Sequence, residues 1–292
     1  MPAISSEIAK PHIDLVDETF DASHSESYHL SIQIEPGGLS FCVFNTVLHK
    51  YIVLRSYPLF INDFNKLVEQ CSTIFKNDDL SGLYYKSSSN LWVSPRCTLV
   101  PGHFFDSDSA DAYLTFTHGA SAGEQTLHNH IRASNLYNVF SCPVALLTLL
   151  RHYQPNIRLF HQATTLIGSI VSGISSDKTD LAAYFYSRYM DIAVVRKKEL
   201  LFYNTFQVNA PEDAVYYLTG ASNRFDINLS STKLIHAGDF KQTTPPQAEI
   251  LRKYVSSIME LDPPKDVTYS HYLQSPVLKR FVHLFNLYGC ES

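Results

Sequence analysis

Apolar and polar positions fall into three closely spaced, strand-like blocks soon after the N-terminus. Residues 28–35, 39–45 and 50–57 are rich in β-branched and aromatic side chains. Only Pro36-Gly37-Gly38 and residues 46–49 separate them. Joins this short force antiparallel neighbours, so the pattern predicts a three-stranded meander. The apolar spacing then lengthens. Phe64, Leu67, Val68, Cys71, Ile74 and Phe75 recur at helical intervals behind Asn62 or Asp63, either of which can cap the helix. Further on, the pattern predicts a strand over 83–86, an irregular stretch around Trp92 and Pro95, and a short apolar run at Leu99-Val100-Pro101. A helix over 106–116 and a strand over 136–140 follow. A helix over 143–152 carries proline in its first turn, and a strand over 157–160 leads into a helix over 162–171.

Residues 172–180 (SGISSDKTD) read as a linker, which places a lobe boundary near residue 175. The same grammar then returns: strands over 181–186, 191–195 and 199–208, a helix over 211–218, a strand over 233–236, a helix over 246–259, a strand near Val267 and a helix over 276–287. The halves superpose in sequence at an offset of roughly 150 residues, as a repeat of whole supersecondary units. Ser40 to Phe44 fall on Asp191 to Val195, and Tyr51-Ile52-Val53 fall on Leu200-Leu201-Phe202. The expected organisation is an acidic, Ser-rich arm over 1–26, ordered in part at best, lobe one over 27–175 and lobe two over 176–292.

Composition narrows the function classes. The 292 residues are 45% hydrophobic and 17% charged, a globular balance, and 18 Tyr with 18 Phe favour strand-rich α/β structure. Net charge is −5, and the densest basic run, Arg196-Lys197-Lys198, reads as a hairpin tip, so nucleic acid is not an expected partner. The N-terminus lacks a secretory pattern, and the longest apolar runs fall short of the ~20 residues that span a bilayer. Membrane insertion is not expected. Five cysteines without a CxxC pair fit reduced thiols in a cytoplasmic setting.

Two copies of β-β-β-α-β-α-β-α resemble the actin, sugar kinase and heat-shock chaperone superfamily. Residues 191–206 (DIAVVRKKELLFYNTF) are similar in rhythm to the PilM family of type IV pilus assembly proteins. The segments YHLSIQIEPGGLSFCVF, TLVPGHFFD, NLYNVFSCP and HQATTLIGSI resemble a bacterial family of unknown function with an actin-like fold. The resemblance covers about residues 28 to 290. It implies duplicated ribonuclease H-like lobes with mixed sheets and an ATP cleft between them, and its motifs are structural rather than catalytic.

An ATPase of that superfamily needs a carboxylate and glycines in each lobe's first hairpin, to position magnesium, water and phosphates. Here the first hairpin offers Glu35, Pro36, Gly37 and Gly38. Pro36 supplies no N–H, and Pro-Gly-Gly also reads as an ordinary turn. The second, Tyr186-Ser187-Arg188-Tyr189-Met190, has neither carboxylate nor glycine; Arg188 reads as an anion contact or a solvated turn residue. Gly238 and Asp239 stand where a nucleotide base would be held, and Gly238 fits an ordinary turn equally. Neither ATP nor magnesium is therefore expected, and no catalytic residue is assigned. Tyr184, Tyr186 and Tyr189 read either as core or as an aromatic interface facing the cleft. The expected role is a non-catalytic module that contacts a protein partner, with a nucleotide or small-ligand binder of slow or no turnover as the alternative. His103, His118, His128 and His130 lie near one another in sequence with Glu124 as the one carboxylate close by, a set too sparse for a defined metal register, and no metal is expected. The sequence contains no GxxxxGK[ST], GxGxxG or GxSxG.

Overall fold

The computed structural model describes residues 10–59, 63–173, 179–238 and 250–291. Sheet one contains β1 (Ile13–Val16), β2 (Tyr28–Glu35), β3 (Gly38–Asn45), β4 (Lys50–Pro58), β5 (Ser87–Trp92) and β9 (Arg158–His161), in the order β1-β4-β3-β2-β5-β9. Sheet two contains β10 (Thr179–Phe185), β11 (Tyr189–Arg196), β12 (Glu199–Gln207), β13 (Lys233–Gly238) and β14 (Ser257–Glu260), in the order β12-β11-β10-β13-β14. In each sheet the first three strands form an antiparallel meander and two parallel strands extend it on the far side.

The repeat extends to irregularities. The register of β3 against β4 shifts between Val43 and Phe44, leaving Ile52 as the extra residue. The register of β11 against β12 shifts between Val194 and Val195, leaving Leu201 extra. These are the residues that the sequence offset superposes. A bulge at one place in both meanders is a conserved device of the repeat unit rather than a local accident.

Helices cover the outer faces. Asp63 caps α1 (Phe64–Asn77) by accepting a hydrogen bond from the Asn65 N–H. With α3 (Val144–Tyr153), α1 packs on sheet one through Leu67, Cys71, Ile74, Leu146 and Leu150. α5 (Pro211–Arg224) covers sheet two through Ala214 and Leu218. Between the inner faces lie α4 (Gln162–Gly173), α6 (Ser275–Arg280) and α7 (Val282–Asn286). A third sheet, β6 (Cys97–Pro101), β8 (Leu136–Pro143) and β7 (Glu124–Ile131) with α2 (Ala110–His118), is inserted between β5 and β9.

Several expectations are corrected. The strand after α1 is Ser87–Trp92, not 83–86, because Ser89 and Asn90 are wholly buried beneath neighbouring strands while Tyr84 is exposed. Residues 257–259, expected to be helical, begin β14, which pairs in parallel with β13; residues 246–249 lie outside the described set. The C-terminal helix breaks at Phe281 into α6 and α7. Residues after 267, expected in lobe two, return to sheet one: β15 (Thr268–Tyr269) pairs with β4, and α7 packs on β2 and β3. The predicted linker is mostly outside the described residues; α4 reaches Gly173 and β10 starts at Thr179.

The N-terminal arm also differs from expectation, since β1 pairs antiparallel with β4. Ile13 and Leu15 join the core between the sheets. Asp14 accepts a hydrogen bond from Arg55 at 2.8 Å, and Asp17 pairs with Lys50 at 2.7 Å. Arg55 is nearly buried and also holds Asp78 and Asp79, so losing the arm strips one of its three carboxylates. A variant starting at Thr19 should lose about 2–4 kcal/mol in urea unfolding. Unchanged stability would show that β1 does not stay docked.

Candidate functional site

The tips of the two first hairpins meet where an ATPase of this architecture would hold phosphates. In lobe one, β2 and β3 turn through Glu35, Pro36 and Gly37. In lobe two, β10 and β11 turn through Tyr186, Ser187 and Arg188. A Cβ built on Gly37 would collide with the Ser187 side chain, so glycine is required there by the opposing lobe. The Gly37 carbonyl accepts from the Leu59 N–H at 2.9 Å. Gly38 packs 2.9 Å from the Tyr57 carbonyl oxygen, measured from the position its Cβ would take. The cavity left between the tips is about 50 Å³, against ~300–1,000 Å³ for ordinary small-molecule sites.

The structure places the predicted residues as follows. Glu35 is half-buried and accepts from the Gln33 side-chain amide at 3.1 Å. Arg188 is half-buried, and its carbonyl accepts from Val208 N–H at 2.9 Å. Gly238 ends β13 with φ +83°, and a Cβ there would strike the Phe185 carbonyl and the Tyr184 ring. Its glycine is explained by strand packing alone. Asp239 lies outside the described residues.

Tyr184 and Tyr186 are buried, and Tyr189 is half-buried against the same core. The Tyr184 ring stacks on His283 of α7 at 3.7 Å, and its hydroxyl donates to the Arg280 carbonyl at 3.0 Å. The Tyr186 hydroxyl lies 2.9 Å from His283 Nδ1 and 3.3 Å from Asp191 Oδ2. These aromatic side chains pack inward, so they are not open to an external partner.

Asp191, which the sequence offers with Asp239 only as a substitute carboxylate for the cleft, is the most unusual group here. It is fully buried on β11, with Thr205 donating to Oδ1 at 2.7 Å. Burial pushes its carboxyl up to about 7, against hydrogen bonds from Thr205, Tyr203, Tyr186 and Gln162 that favour the ionised form. Its register partner pair, Asp191 opposite Thr205, has a counterpart in lobe one, where Ser40 opposite Ser56 share a buried hydrogen bond at 2.9 Å. The offset in the sequence could have found Asp191, because it makes a carboxylate the repeat of Ser40. Burial holds His283 at about 3, so it is neutral.

Magnesium needs hydrated carboxylates reached from an open site. Here Asp191 is enclosed by its own hydroxyl partners, and Tyr186 lies in the second hairpin, beside the same small cavity as Glu35. On the third sheet, Glu124 pairs with Arg96 at 3.0 Å, and the His130 ring stacks on Tyr137. Among the described residues no three metal-ligating side chains converge. A larger cavity, about 880 Å³, opens between the C-terminal end of α4 and residues 261–267. The five cysteines are free thiols. No helix among the described residues is long and apolar enough to cross a membrane.

Residues 17–258 match the model of a family described as "Protein of unknown function (DUF3822)". No curated protein is significantly similar to the chain. Among solved structures, a Bacteroides thetaiotaomicron protein with an actin-like ATPase fold and unknown function is similar at 19% identity and TM-score 0.75, covering 90% of this chain and 98% of that one. A type IV pilus biogenesis complex of PilM and PilN is similar at 10% identity and TM-score 0.61, covering 89% of this chain and 97% of that chain. These likenesses show the fold: mixed α/β sheets in an actin-like ATPase architecture.

The Asp191 environment has a pH signature. Its folded-state value lies above the unfolded 3.8, so the native state holds a proton that the unfolded chain releases. The associated stability is complete below about pH 4 and is lost as pH rises toward 7. Asp191→Asn carries no such dependence. Its stability relative to wild type should rise by about 2 kcal/mol between pH 5 and pH 8 in paired urea melts. A difference independent of pH would contradict the buried, proton-holding carboxylate.

Proposed function

The chain belongs to the family of proteins of unknown function DUF3822, and from that premise we propose that it is a non-catalytic interaction or scaffold module of actin-like fold. One observation carries the reading: the two hairpin tips touch through Gly37 and Ser187, leaving about 50 Å³ where nucleotide phosphates would lie. Phosphoryl transfer depends on positioned carboxylates, metal and phosphate-binding N–H groups, and contributes little without them. Here Pro36 removes one N–H, and tyrosines fill the space on the side of lobe two. The similar PilM structure was solved as a complex with PilN, which supports a role through a protein partner. We place that role in the cytoplasm, where the free thiols would stay reduced.

Thermal unfolding with millimolar ATP and magnesium tests the reading. No shift in melting temperature is expected. A nucleotide present at a hundredfold excess over its dissociation constant would add about 2.7 kcal/mol. Stabilisation of that size would overturn the proposal in favour of a nucleotide binder.

A further inference from the structure

The internal repeat makes one asymmetry informative. The outer edge of β4 is covered by β1, and by β15 near its start. By register, β4 and β12 are counterparts, since Val53 opposes Val43 and Phe202 opposes Val194. Among the described residues no strand pairs with the outer edge of β12, a nine-residue strand at the end of its sheet. Long open edges are normally shortened, charged or covered, because their backbone N–H and C=O groups template another strand.

Beside this edge runs a cavity of about 670 Å³ between β12 and α5. Phe202, Phe206, Tyr217 and Phe225 form its aromatic walls, with Phe206 stacked on Tyr217 at 4.3 Å. Tyr216 is 75% exposed at its rim. Gly220 lies in the middle of α5, where glycine costs helix stability, and a Cβ there would meet nothing within 4 Å. The glycine thus keeps the groove deep.

We propose that β12 and this groove bind an extended segment of a partner protein, which adds as an antiparallel strand in the way β1 adds to β4. Lobe one supplies the template for the occupant. Ile13 and Leu15 enter the core between the sheets from alternate positions, so the groove, on the α5-covered face of sheet two, corresponds to the other face of the added strand, that of Asp14 and Val16; Asp17, just beyond the C-terminal end of β1, pairs with Lys50 at the start of β4. In lobe two the place of Lys50 is taken by Glu199, and the basic groups are Lys197 and Lys198, which form the exposed turn just before β12. The partner segment therefore carries apolar or aromatic residues at alternate positions, for the groove, and an acidic residue at its C-terminal side, for these lysines. Backbone pairing supplies affinity and the pockets supply selectivity. This assignment rests on the interaction reading above and specifies its surface.

The test is selection of a phage-displayed random dodecapeptide library on the full chain, followed by anisotropy measurements on the synthesised peptides. Gly220→Trp fills the groove and Tyr216→Ala removes its exposed rim. Gly82→Trp, at a glycine whose added Cβ also meets nothing, is the control, and circular dichroism verifies folding of each variant. Selected peptides should alternate apolar residues and end acidic. They should bind at least tenfold more weakly to Gly220→Trp and Tyr216→Ala, and equally to Gly82→Trp. Charge reversal at Lys197 and Lys198 should weaken them as well. Peptides indifferent to the groove variants would overturn this surface while leaving the interaction reading intact, and a library yielding no binder would overturn the surface too. A solution dimer dissociated by Gly220→Trp would make the occupant a second copy and likewise overturn the proposal. Stabilisation by ATP would instead strike the interaction reading itself.

Discussion

Helices clamped between two facing sheets set the geometry of the whole molecule. α4 buries Ala163, Leu166, Ile167, Ile170 and Val171, and α7 buries Val282, Leu284 and Phe285, in one core with Leu54 and Leu91 of sheet one and Ala182, Ala193 and Ile235 of sheet two. Each of the Leu, Ile, Val and Phe side chains among them contributes about 1.5–3 kcal/mol by leaving water. Parting the sheets would expose several at once, a cost comparable to the net stability of a typical domain. The clamp therefore fixes how far apart the two hairpin tips stand. At that separation Ser187 rests on Gly37, and Tyr184 and Tyr186 close over His283. Closure of the cleft follows from packing, with no lock at the tips themselves.

The two lobes share one blueprint and differ in what has been added to it. The bulges at Ile52 and Leu201 mark the common unit. Lobe one then gained the inserted third sheet and a covered β4 edge, secured by Asp14–Arg55 and Asp17–Lys50. Among the described residues the outer edge of sheet two at β12 is unpaired, and where lobe one has the neutral Ser40–Ser56 pair lobe two has Asp191–Thr205. The buried carboxylate takes its hydrogen bonds from hydroxyl and amide groups of the protein itself.

Much of this was legible in the sequence, for physical reasons that also explain what was not. β2, β3 and the β10–β12 meander were readable because β-branched and aromatic runs are divided by turn residues such as Gly37 and Lys197-Lys198. β5 was displaced because its Ser88, Ser89 and Asn90 are polar letters in buried positions, a choice set by neighbouring strands. β14 was mistaken for helix because Ile250, Leu251, Tyr254, Val255 and Ile258 keep helical spacing, whereas pairing with β13 decides the backbone. The docking of β1 escaped notice because four residues between acidic neighbours give little local signal; the strand exists through Arg55 and Lys50. At the site, the make-up of the two hairpin turns was legible directly, with Pro36 in the first and neither carboxylate nor glycine over 186–190. That Tyr184 and Tyr186 turn inward was not, because alternation gives two faces and only α6 and α7 reveal which is covered.

The account stands or falls on contact between the hairpin tips, and a double-mutant cycle on Gly37→Ala and Ser187→Gly measures that contact directly. Gly37→Ala alone should destabilise the protein, because its methyl group meets the Ser187 side chain. With Ser187→Gly in place, the same substitution should be nearly neutral, giving a coupling energy of about 1 kcal/mol or more. Additive effects, within about 0.5 kcal/mol, would mean that the tips stand apart in solution and that the cleft remains open to a ligand.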